Sequence, residues 1–331
     1  MDTKINKNFS NIALFSLFFI GNAVINLPFS DSIKGALPGF LIAFIASIPF
    51  ILQIRKINLP AEKNVLNISI NVLFLIYALF CGIVTLRNYV TFSDKIILPE
   101  IGSFFPSLLF LLLLWLICRE KDSVLLKLSL ISAFLVFAIV LVLFLLSFNN
   151  FSFGQLIPKE LPSFKEIGYQ AISYIAMSFI EGIVIIGFLN LRTNKSILGG
   201  FFWGAAILFL IILQVVAVFG YSALSNIKHP YASAMSVITF GDKFSRMEGF
   251  SYLLYFSCTL IKTAVCIKSA RNCVNRIFPK ANKYFMPVVL SIYGALCIFT
   301  DIFTNLPFMN IAPFLLLPPI IMLVLIKISK A

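Results

Sequence analysis

The sequence predicts an all-α membrane protein of about ten transmembrane helices, and three observations carry that prediction. Sixty per cent of the 331 residues are hydrophobic and only 12% are charged, with a mean hydropathy of +1.01, outside the usual composition of a water-soluble domain. The apolar residues fall in runs of about 18 to 25, the length that crosses a hydrocarbon core of roughly 30 Å at 1.5 Å per residue. The basic residues alternate in density between successive connections, as cytoplasmic and outer loops do.

Turn residues and charge clusters cut the chain into apolar segments at about 10–30, 34–54, 66–90, 101–118, 123–147, 168–189, 196–221, 249–275, 284–302 and 308–327. These runs show no period-two alternation, and only helices or closed barrels satisfy their backbone groups in lipid, so helices are the consistent choice. The first segment has lysines ahead of it, like a signal peptide. It runs on through Gly21 to Pro28 without a small-residue cleavage site, which makes it a retained first span. The eighth segment is interrupted by Lys262 and Lys268. The whole chain, 1–331, reads as one polytopic domain, with helices 1–5 over about 10–147 and helices 6–10 over about 168–327.

With the N-terminus inside, the inner set is Lys4, Lys7, Arg55, Lys56, Lys63, Arg119, Lys121, Lys127, Arg192, Lys195, Lys262, Lys268, Arg271, Arg276, Lys280, Lys283, Lys327 and Lys330. That is 18 of the 26 Lys and Arg, against 8 outside; both termini are then cytoplasmic. The charge of +13 is spread over every inner loop and not gathered into one patch, which argues against nucleic-acid binding. The stretch from Lys262 to Lys283 is basic enough to touch anionic lipid headgroups.

Little here suits catalysis. One histidine, His229, lies in an outer loop, and there is no H-E-x-x-H, G-x-S-x-G or P-loop pattern. An enzyme, a cofactor and a metal centre are therefore not expected. The six cysteines (Cys81, Cys118, Cys258, Cys266, Cys273 and Cys297) read as buried thiols. The Asn-x-Ser sequons at Asn8, Asn67, Asn150 and Asn194 are short enough to arise by chance.

Transporter spans that hold a solute near the midplane are often broken, because an unwound stretch exposes backbone N–H and C=O groups. Span one carries such a stretch in Gly21, Asn22, Ala23 and Asn26, ending at Pro28; the same polar groups could instead join helix to helix. Span six carries Tyr174, Ser178, Glu181 and Gly182, and Glu181 is the acidic residue placed deep in a span. An intramembrane carboxylate faces the bundle interior with a partner or a proton. Glu181 is expected to line the solute cavity and bind a cationic group or carry a coupling proton, or else to be a protonated carboxyl between helices. For Lys262, one reading is a side chain that snorkels to the interface. The other places its ammonium between spans one and eight, where a coupling sodium would sit. Spans one and six are equivalent if helices 1–5 and 6–10 form an inverted repeat.

Ile20-Gly21-Asn22-Ala23 with Leu27-Pro28, Leu98-Pro99-Glu100, Phe179-Ile180-Glu181, and Phe244-Ser245-Arg246-Met247-Glu248 running into Ile261-Lys262 resemble, in order and spacing, the endospore germination permeases. These are the B subunits of nutrient germinant receptors, of the amino acid/polyamine/organocation superfamily. The family's Gly-x-Gly-like break stands here as Gly21-Asn22-Ala23, and its Leu-Pro-Glu-Thr-Pro as Leu-Pro-Glu followed by Ile101-Gly102. The resemblance implies a LeuT-like fold, a small nutrient ligand such as an amino acid, A-type and C-type receptor subunits as partners, and the spore inner membrane. A working amino acid or small-solute transporter, proton-coupled or uncoupled, uses the same cavity and stands as the alternative.

Overall fold

The computed structural model describes residues 2–25, 33–54, 59, 64–94, 104–158, 160–185, 194–224, 227, 229–238, 248–299 and 308–328. Its helices are α1 (Asp2–Ile25), α2 (Ala36–Ile54), α3 (Val65–Phe92), α4 (Phe104–Arg119), α5 (Asp122–Leu146), α6 (Phe164–Tyr174), α7 (Asn194–Leu224), α8 (Pro230–Val237), α9 (Glu248–Ile277), α10 (Asn282–Phe299) and α11 (Phe308–Ile328). No strand occurs among the described residues. Six helical stretches there are long and apolar enough to cross a membrane, beginning at Ile33, Val65, Asp122, Phe164, Ser196 and Gly249, and three shorter apolar helices accompany them. The interrupted eighth segment is one continuous helix, α9, and the connection before it holds the short α8, with Pro230 in its first turn.

Burial is arranged by polarity. The helix richest in polar groups, α9, is the most enclosed, with Ser251, Thr259, Lys262, Thr263, Lys268 and Ser269 all buried. The apolar α5 turns Ile131, Phe134, Leu141, Val142 and Leu145 outward. That is the order a lipid solvent imposes, because exposed apolar side chains cost nothing there and polar ones need protein partners.

Two helix pairs are set by glycines four residues apart. Gly35, in the turn just before α2, and Gly39, in its first turn, lie against the backbone of α6: a Cβ at Gly35 would stand 2.9 Å from the Glu166 carbonyl, and one at Gly39 3.0 Å from the Ile167 oxygen. Gly200 and Gly204, at the start of α7, lie in the same way on α1, 3.0 Å from the Ile12 and Ser16 oxygens. These close approaches hold α2 on α6 and α7 on α1. Backbone cannot yield as a side-chain tip does, so Gly39→Leu or Gly200→Leu should lower the apparent melting temperature in nanodiscs sharply, while Gly154→Leu, in open space, should not.

The two ends of the bundle are tied differently. At one end α9 reaches out to three connections. Lys268 donates to the Glu120 carbonyl (2.8 Å) and to Asp122 (3.0 Å), Arg271 to the Cys118 carbonyl (3.3 Å) and Asn282 (2.9 Å), and Arg276 to the Leu59 carbonyl (3.4 Å). Glu120 and Cys118 close α4, so these cations also meet the negative end of a helix dipole. At the opposite end Lys34 pairs with Glu160, an exposed contact that contributes little. There Ser152 N–H donates to the Ala217 carbonyl (3.1 Å) and Tyr221 to the Leu156 carbonyl (3.2 Å). The connections thus gather at the ends the loop alternation requires.

Helix α11 carries Pro318 and Pro319. A prolyl nitrogen has no hydrogen, so the Leu315 carbonyl cannot be bonded from within its helix. The Tyr77 hydroxyl of α3 donates to it at 3.0 Å. Tyr77→Phe should cost about 1–3 kcal/mol by leaving that carbonyl unpaired. Pro319→Ala restores a donor, so the double variant should recover most of the loss in a thermal-melt cycle.

Candidate solute site at the broken helices

The expected break in span one is at Gly21, where φ is +20° and ψ −115° inside α1. Ala23, just beyond it, is buried. Asn22 belongs to α1 by its backbone, while Asn26 lies outside the described residues. So do Leu27-Pro28, Leu98-Pro99-Glu100 and most of the Phe244–Glu248 stretch.

Helix α6 changes its winding in three steps. A reciprocal cap between Ser163 and Glu166 starts it. It is α-helical to Tyr174, widens to a π-helical turn over Ile175–Phe179, and tightens to a 3₁₀ turn over Ile180–Val184. Such changes are frequent at functional sites because they redirect backbone groups from their usual partners. Here α9 takes up two of them: Lys262 Nζ lies 3.5 Å from the Met177 carbonyl, and Ser269 donates to the Val184 carbonyl at 3.0 Å.

Glu181 and Lys262 form an ion pair in which both side chains are fully shielded from solvent. The Lys262 ammonium also sits 5.3 Å from the centre of the Phe18 ring, an attractive placement for a cation. The pair abuts the break in α1. A Cβ at Gly21 would overlap the Lys262 stem, so the glycine is required both for the positive φ and for the approach of the lysine. Ser178 donates to the Phe19 carbonyl, joining the π-helical turn to α1. Gly182 faces the Phe19 ring, where a Cβ would stand 2.8 Å from Cε1. On the α3 side, the Cys81 thiol lies beside the Glu181 carboxylate.

Of the residues singled out from sequence, Gly21, Ser178, Glu181, Gly182 and Lys262 therefore come together. Tyr174 is buried two turns away, edge-on to Phe40 of α2 with ring centres 5.2 Å apart, and it does not touch the pair. The snorkelling reading of Lys262 is corrected. Its neighbours Thr259, Ile261, Thr263 and Ala264 are all buried, so no interface lies within reach, and the carboxylate, a carbonyl and a ring replace water around the ammonium. It does not belong in the inner-loop tally. Arg87, tallied outside, is buried in α3 with partners of its own. The tally becomes 18 − 1 = 17 against 8 − 1 = 7, and the bias stands.

Ser269 is not among the residues singled out from sequence, and Cys81 reads there only as a buried thiol. Ser269 had a signal, since seven residues past Lys262 it shares a helix face with it. Cys81 had none.

Residues 39–309 match the model of a family described as spore germination protein. The chain belongs to that family. The chain is also similar in fold to a solved Na⁺-coupled sialic acid symporter, in a structure described as its substrate-bound outward-open state with a novel Na⁺ site. The TM-score is 0.59 at 10% identity, covering 97% of this chain and 78% of that one. The chain accordingly has the LeuT-like, permease-type fold and is a multi-pass membrane protein. No curated protein sequence matches it.

Proposed function

We propose that this chain is the permease-like subunit of a nutrient germinant receptor, binding a small zwitterionic nutrient such as an amino acid between Glu181 and Lys262. The observation that carries the reading is the solvent-shielded ion pair laid against two broken helices. A zwitterion brings one ammonium and one carboxylate. It can replace the internal pair by two new ones, its ammonium on Glu181 and its carboxylate on Lys262, without burying net charge. Gly21, Asn22, Ala23 and Asn26 on one side, and Tyr174, Ser178 and Gly182 on the other, are the positions assigned to the rest of the site. Lys262 is the switch: leaving Glu181, it frees α9 from the turn at Met177, and the bound and unbound states differ in how α6 meets α9. The chain forms one polytopic domain of two five-helix halves, with both termini cytoplasmic in the spore inner membrane. A-type and C-type receptor subunits read the change.

The symporter-like fold favours a second reading, alternating-access transport of the same solute. Accumulation of labelled amino acid in vesicles holding this protein alone would establish transport. Absence of flux together with loss of nutrient-triggered germination in a deletion strain is the result expected of the receptor.

A further inference from the structure

The connection between α5 and α6 is apolar where an outer loop in water would be polar. Phe153 and Ile157 are 68% and 74% exposed, and Leu161 and Phe164 are 91% and 95% exposed. Disorder does not account for this. Ser152 is bonded to Ala217, Leu156 to Tyr221, and Gln155 lies against Gly220, whose φ of +69° opens the end of α7 to receive it. The reciprocal cap of Ser163 and Glu166 holds Phe164 at the first position of α6. The loop is therefore built to present these side chains outward.

Two features say what covers them. The apolar set continues from the lipid-facing side of α5, where Leu141, Val142 and Leu145 are exposed, through the exposed Phe148 in the turn after it, and Phe144, Phe148, Phe151 and Phe153 follow one another ring to ring with centres 5.0–6.4 Å apart. Among the apolar groups stand the exposed Asn149, Asn150, Glu160 and Lys165. An aromatic-rich segment at the end of a span, with polar groups interleaved, has the composition that settles at a membrane–water boundary.

We infer that residues 148–158 and 160–164 form an in-plane interfacial segment, with Phe153, Ile157, Leu161 and Phe164 inserted at the headgroup and acyl boundary of the leaflet where α5 ends and α6 begins. The broken helix is thereby anchored to lipid at its first turn.

Spin labels provide the test. The five described cysteines are buried, so single cysteines can be placed at Leu161, Phe164, Asn150 or Lys165 in a Cys297→Ser background and labelled in phosphatidylcholine/phosphatidylglycerol liposomes. These exposed side chains make no core contacts, and the variants should fold. Labels at 161 and 164 should relax more with oxygen than with a water-soluble nickel chelate, and labels at 150 and 165 the reverse. A preference for nickel at 161 and 164 would place the loop in water. Exclusion of both reagents there would mean that protein covers it. Either result overturns the inference.

Discussion

Lys262→Met should produce the largest loss of stability of any single substitution in the α9 core. The variant fills nearly the same volume, so packing is retained, but the Glu181 carboxylate loses its countercharge in a place that water does not reach. Removing one partner of a buried pair costs roughly 3–5 kcal/mol, whereas replacing both partners by groups that match is often neutral. The expected pattern in a thermal melt in nanodiscs is a large drop for Lys262→Met, a smaller one for Glu181→Gln, and recovery toward the wild type in the double variant. The recovery is the informative part. A lysine whose role was packing alone would give additive losses.

Gly21→Ala is the second. A positive φ in the middle of a helix costs an L-residue about 1–3 kcal/mol, and the added methyl enters the volume of the Lys262 stem. The lysine must then withdraw from Glu181, so one methyl group breaks the ion pair from the opposite side. Gly21→Ala should melt far below the wild type. Shortening the stem by Lys262→Ala in the Gly21→Ala background should cost less than the same change in the wild type, because the clash and the pair have already been lost. The matched control is Gly168→Ala, which has open space around it.

The spans were legible because run length and charge are local properties, and a bilayer selects on both. α3 (Val65–Phe92) and α5 (Asp122–Leu146) fall within two residues of the expected limits. What composition cannot distinguish is a helix surrounded by lipid from one surrounded by protein. That is why Lys262 and Lys268 looked like interruptions in the eighth segment. In α9 they are buried and find a carboxylate and carbonyls instead of water. Glu181 was visible as a lone acid in an apolar run, and Gly21 as a glycine beside asparagine, since both break a local pattern. Lys262 was visible too, as a lysine within an apolar run, but its pairing with Glu181 was not, because pairing across the bundle leaves no mark in either neighbourhood. The glycine pairs at Gly35/Gly39 and Gly200/Gly204 did leave a mark, their four-residue spacing. They set α2 against α6 and α7 against α1.

The claim that a zwitterion replaces the internal ion pair is tested most directly by ligand-induced stabilisation of the purified protein. A panel of amino acids should be compared with the corresponding amines, which lack the carboxylate, and the corresponding acids, which lack the ammonium. The expected result is that at least one amino acid raises the melting temperature, neither half-ligand does so, and the effect vanishes in the folded Glu181→Gln, Lys262→Met double variant. Stabilisation that survives undiminished in that double variant, or that an amine or acid reproduces in full, would contradict it.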